Sequence, residues 1–248
     1  MNSAEILSRT DRTSWRRMWM VARYFWPRFR SKVIIFPLVT LLIFTCGHLV
    51  GKHVNPMGAY AIFGLINYLL IFNPLIFTKR SDMEITATLP ATGLEKCVAV
   101  LGYSFVLMPL VIDVPLYLAY LLTDTPIHPD SSVLVNDVAV SSPLITACNV
   151  ASTLAMIASC LWAVMAARTH RVIKGVAAAL GVSVFIGMIS AVYGFVAAIM
   201  ESGHAAGVGP EQINGIMSRV FTVTLPLLSV YLIFALAMTC RAIRRRQL

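Results

Sequence analysis

Long apolar runs alternate along this chain with short polar or basic connections. Six runs, 33–50, 57–77, 98–122, 143–167, 172–200 and 220–240, approach or exceed the roughly 20 residues a helix needs to cross a hydrocarbon core. They are too long for strands, and a membrane barrel shows short alternating segments instead. The pattern predicts an all-α membrane protein of six transmembrane helices. It divides into an N-terminal region 1–32, a membrane domain 33–240 and a basic tail 241–248. The first apolar stretch is broken by arginines and leads to no small-residue cleavage site, so the first span is expected to stay as an anchor.

The cations follow the same alternation. Eighteen of the twenty Lys and Arg lie before the first span, in the second and fourth connections, and in the tail. Only Lys52 and Arg219 fall in the alternate connections, and the third connection, 123–142, carries Asp124, Asp130 and Asp137 instead. Lys and Arg are retained on the cytoplasmic side. Both termini are therefore expected in the cytoplasm, and the multi-pass chain in a bacterial cytoplasmic membrane. The positive charge is topological, and no compact basic domain is present to bind nucleic acid.

Ahead of the first span, Trp15, Met18, Trp19, Ala22, Phe25 and Trp26 recur at helical spacing, with Arg16, Arg17 and Arg23 elsewhere. That pattern predicts an N-terminal interfacial amphipathic helix among the headgroups of membrane lipids, ended or bent by Pro27. In the second connection Ser81 with Glu84, and Thr92 with Glu95, form two capping boxes. Leu89-Pro90 breaks the chain between them. A short helix over Asp82, Met83, Glu84 and Ile85 to Thr88 is expected there, a rigid knob suited to docking another protein. The fifth connection, 201–219, is rich in glycine, and Pro210 can open a helix before the sixth span.

Within the spans, small residues recur every fourth position. Ala151, Ala155 and Ser159 lie on one ridge, Ser183 and Gly187 on another with Gly194 beside it. Such ridges let helix backbones approach in lipid, within the chain or between two copies. Asp113, between Pro109 and Pro115, and Asn67 and Asn73 are the candidate intramembrane polar site. An acid at that depth needs a partner or water, and the asparagines can act as interhelical glue.

Composition and reactive groups narrow the function. Hydrophobic residues make up 58% of the 248, against 12% charged, where soluble domains carry about 25% charged. The five cysteines, Cys46, Cys97, Cys148, Cys160 and Cys240, form no CxxC pair and read as small apolar residues rather than a disulfide framework or zinc site. No metal or cofactor motif stands out. HExxH, G-x-S-x-G and the phosphate loop GxxxxGK[ST] are absent, and Asp113 has no second intramembrane acid. The expected chain is not an enzyme.

These features together resemble an ABC-2-type permease, the transmembrane subunit of a bacterial ABC transporter. Leu89-Pro90-Ala91-Thr92 with Glu95-Lys96 is similar to the LPAS..EK stretch of compact bacterial membrane proteins, many from Bacteroidetes. The resemblance implies a homo- or heterodimer of permease subunits bound to a separate ATPase, with the helix 81–88 as coupling element, and export or extrusion as the activity. A secondary transporter, or a non-transporting membrane scaffold or sensor subunit, is the alternative.

Overall fold

A computed structural model describes residues 15–53, 66–78, 92–123, 133–135, 138–140, 143–202 and 210–245. They are almost entirely helical. In chain order come α1 (Trp15–His53), a helical turn at 66–71 leading into a 3-10 helix (Asn73–Thr78), and α2 (Gly93–Gly102). A π-helix (Tyr103–Leu107) joins α2 to α3 (Met108–Thr123), followed by α4 (Pro143–Ala166), α5 (Arg171–Ser202) and α6 (Pro210–Arg245). Between α3 and α4 two short strands, β1 (Val133–Val135) and β2 (Val138–Val140), pair antiparallel, Val133 opposite Val140 and Val135 opposite Val138. This short pair is the one departure from helix among the described elements.

Among the described residues, five stretches are long and apolar enough to cross a membrane: Arg30–Val50, Gly93–Ala119, Ala147–Ala166, Arg171–Ile189 and Arg219–Arg245. The chain is thus a multi-pass helical membrane protein. Of the second expected run, 57–77, only the part from residue 66 belongs to the described residues.

Two helices run past their expected breaks. Pro27 neither ends nor isolates an interfacial helix. α1 continues for 39 residues through Pro27 and Pro37, and the expected boundary between residues 32 and 33 falls inside it. A proline removes one backbone hydrogen bond, but its φ is already helical, and helices of membrane proteins accommodate such breaks. Trp15, Trp19 and Trp26 remain exposed on this helix while Val21 is buried. α6 opens at Pro210 and passes Arg219 without interruption, so the expected short helix at 210–219 is the first part of this longer helix.

α4 is the centre of the molecule. It packs against α5, α6 and the 3-10 helix, and half of its apolar stretch is buried, against 11% for α5. Ala155, Ile157, Ala158, Cys160, Leu161 and Val164 are fully enclosed. Toward α6, the Ser159 and Tyr231 hydroxyls hydrogen-bond at 2.8 Å, Trp162 meets Phe234 edge to face, and the Cys148 thiol donates to Phe221 O. α1 packs on α2 and α3, and α2 on α6.

Three hydroxyls of the membrane helices are satisfied locally. Ser159 donates to Ala155 O, Thr224 to Val220 O and Thr239 to Ala235 O. This back-bonding leaves none of these three hydroxyl protons exposed to lipid. The outward face of α5 is apolar, with Val184, Phe185, Met188, Val192 and Phe195 exposed, as a lipid solvent requires.

Candidate functional site

The second connection carries the docking expectation, and its two flanks are what the structure fixes. Ser81, Asp82, Met83, Glu84, Ile85, Leu89 and Pro90 lie outside the described residues. At the re-entry point, Thr92 is the N-cap of α2 in extended conformation. Glu95 N–H donates to the Thr92 hydroxyl at 3.4 Å, and Thr92 N–H donates to Glu95 Oε2 at 2.9 Å. This is the reciprocal capping box read from the sequence, and it satisfies two N–H groups that a helix start leaves open. Glu95 and Lys96 are both buried, so α2 is embedded from its first turn. Thr92→Ala should lower stability by about 1 kcal/mol, and Thr92→Ser should restore most of it. Thermal unfolding in lipid nanodiscs reads this out.

At the exit point, the 3-10 helix ends at Thr78, whose hydroxyl donates back to Leu75 O at 2.7 Å. Arg171, the first residue of α5, donates through Nη1 to Thr78 O at 3.5 Å and through Nε to Ala167 O at 3.1 Å. The α4–α5 turn that presents Arg171 closes through His170, at a φ of 51°. One turn further on, α5 approaches α4 and the 3-10 helix closely. A Cβ on Gly175 would stand 2.8 Å from Val164 Cγ2 and 3.0 Å from Leu75 Cδ2.

The re-entry side has a second tie. Cys97, buried in α2, and Cys240, half-buried near the end of α6, are joined as a disulfide, with Cα atoms 5.6 Å apart. That spacing lies within the range of a disulfide. It corrects the expectation of five separate apolar cysteines; Cys46, Cys148 and Cys160 are free. Basic residues follow at Arg241, Arg244 and Arg245. The cation-rich second connection is therefore tied on one flank to the basic start of α5 and on the other to the basic end of α6.

Of the candidate polar residues, the structure buries Asn73 and leaves Asn67 and Asp113 on exposed positions. Asn73 sits between two proline defects. The α-helical donor to Leu70 O would be the N–H of residue 74, which is proline; Asn73 Nδ2 donates to Leu70 O instead, at 2.7 Å. Across the helix interface, Met108 N–H is diverted to Tyr103 O by the π-helix, and the next residue, Pro109, has no N–H. Ser104 O is left without its helical donor, and Asn73 Nδ2 donates to it at 3.2 Å. One amide group thus serves two carbonyls, each freed by a proline. Phe77 stacks edge to face on Tyr103 beside it, with ring centroids 5.4 Å apart. Asn73 Oδ1 and Ser104 Oγ are buried without a hydrogen-bond partner.

The packing ridges divide. Ala155 and Ser159 are buried in α4 and Ala151 is half-buried, whereas Ser183 and Gly187 are exposed on α5. Gly194 lies within α5, and its surroundings are outside the described residues. Among the described glycines, the one in close contact is Gly175, one turn from the tight connection and eight residues before Ser183 on the same ridge. Its signal is that it extends this ridge through the buried Ala179 toward the tight link between α4 and α5.

Among the described residues, no group of three or more His, Cys, Asp or Glu is placed to hold a metal ion. No family model matches the chain, and no curated protein or solved structure is found to match it.

Proposed function

We propose that this chain is the permease subunit of a bacterial ABC transporter, a six-span protein with both termini in the cytoplasm, working as a homo- or heterodimer. A separate ATPase docks on the second connection and drives export or extrusion. The observation that supports this reading best is the way that connection is mounted. Its exit at Thr78 is held by Arg171, and its re-entry at Thr92 by the capping box. A force applied to residues 79–91 reaches α5 and α2 through these fixed points. Eighteen of twenty cations on alternate segments support the cytoplasmic placement of this end.

Co-purification from native membranes, with mass spectrometry, tests the reading. An ATPase should be recovered with the chain, and should be lost from Met83→Asp and Ile85→Asp variants that still insert and fold. Transport by the isolated chain with no ATPase recovered would overturn the reading in favour of a secondary transporter. A stable complex with a non-ATPase partner would favour a scaffold.

A further inference from the structure

We propose that Cys97 and Cys240 form a reversible, oxidant-responsive crosslink that locks the helix following the docking connection to the C-terminal helix. The two cysteines are 143 residues apart in sequence, yet α2 and α6 pack so that their Cα atoms are 5.6 Å apart. Cys97 lies less than two turns after the Thr92 cap, and Cys240 about one turn before the end of α6 at Arg245. The bond therefore ties the re-entry flank of residues 79–91 to the last turns of the final helix.

The inference rests on the cytoplasmic placement proposed above. In that compartment glutathione and thioredoxin keep thiols reduced, and disulfides are transient or sensing. The ordinary state is then the dithiol, and the structure holds the oxidised form. Access sets the order of events. Cys97 is enclosed, whereas Cys240 is only half-buried. The Cys240 thiolate attacks a low-molecular-weight disulfide such as oxidised glutathione and releases one thiol. The Cys97 thiolate then attacks Cys240 Sγ in the mixed disulfide and releases the second. Two electrons pass from the protein sulfurs to the oxidant, and the two protons leave with the two small thiols. Once formed, the bond holds α2 at a fixed distance from α6, and movement of the connection relative to the C-terminal helix stops.

The test uses the full chain in membrane vesicles, treated with dithiothreitol or oxidised glutathione and then denatured with a maleimide-polyethylene glycol. Five cysteines should label after dithiothreitol. Only the three free ones, Cys46, Cys148 and Cys160, should label after the oxidant, and dithiothreitol should restore five. Oxidation should also raise the unfolding temperature of the wild type, because it closes a long loop. Cys240→Ser should label equally under both conditions, Cys97→Ser should lose one label to the unresolved mixed disulfide at Cys240, and neither should show a temperature shift. Chain trapped in untreated growing cells should label at five positions. Five labels under every condition, or an equal loss of label in Cys240→Ser, would overturn the crosslink. Three labels in untreated cells would overturn its reversibility, since the bond would be constitutive. The label counts do not depend on an ATPase, so failure here and failure of the permease reading are separable.

Discussion

Asn73→Leu should destabilise the folded protein by about 1–4 kcal/mol, out of proportion to the loss of one side-chain amide. The amide serves Leu70 O and Ser104 O together, and leucine leaves both carbonyls without a donor in an enclosed site. An unsatisfied buried group costs about 1–3 kcal/mol in soluble proteins. Interhelical hydrogen bonds in membranes average about 0.6 kcal/mol, with values up to about 1.7. Asn73→Asp should be at least as damaging, because it places acceptor oxygens against two carbonyls. The orientation of the amide is itself forced, since turning it over would set its own oxygen against both acceptors. Unfolding by SDS in mixed micelles measures the loss. Pro109→Ala, which returns an N–H to the π-helix, should reduce the cost of Asn73→Leu. Additive effects of the two substitutions would show that Asn73 does not compensate for Pro109.

Gly175→Leu should have the second large effect, a fall in folded protein recovered from membranes and a stability loss of about 3 kcal/mol, at the upper end for overpacking. A single added carbon already collides with Val164 Cγ2 at 2.8 Å and presses Leu75 Cδ2 at 3.0 Å. Leu75 can rotate away. Val164 is held by its β-branch in a helical rotamer, inside the most buried helix. Gly175→Ala should therefore cost less, its clash being partly offset by a gain in helix propensity of about 0.5–1 kcal/mol. Gly187 provides the contrast. A Cβ there meets nothing within 4 Å, so Gly187→Leu should leave the unfolding of the single chain unchanged. Size-exclusion recovery and SDS unfolding separate the three variants. Equal recovery of Gly175→Leu and wild type would remove the close approach of α5 to α4 from the account.

The spans were legible because lipid imposes one demand over about 20 residues, and apolar runs record it directly. α4 and α5 begin and end within two residues of the runs that predict them. The Thr92–Glu95 box was legible for a similar reason, since its chemistry is local and complete within four residues. Proline was misleading in α1, where packing and lipid carry the helix across the missing bond at Pro27. At Pro74 and Pro109 the missing donors matter, and Asn73 is visible in the sequence as a polar residue in a span. What the sequence does not display is that its partner is Ser104 O, because that pairing depends on the register of two helices. The Cys97–Cys240 bond escaped for the same reason, at a separation of 143 residues. The hairpin carries a plain local signature, Val133-Leu134-Val135 and Val138-Ala139-Val140 around Asn136-Asp137. It is hidden only to a reading tuned to long apolar runs.

The continuity of α1 has a mechanical consequence. At 1.5 Å per residue, its 39 residues make a rod about 58 Å long, while the hydrocarbon core is about 30 Å thick. Roughly half of the rod must therefore lie outside the core, and that half includes Trp15, Trp19 and Trp26. A continuous helix of this length can act as a lever with its pivot in the bilayer. A tilt of about 10° moves one end by about 10 Å relative to the other. Displacement of the tryptophan-bearing end, whether by a neighbouring subunit or by a change in the lipid surface, is delivered to α2 and α3, against which the helix packs.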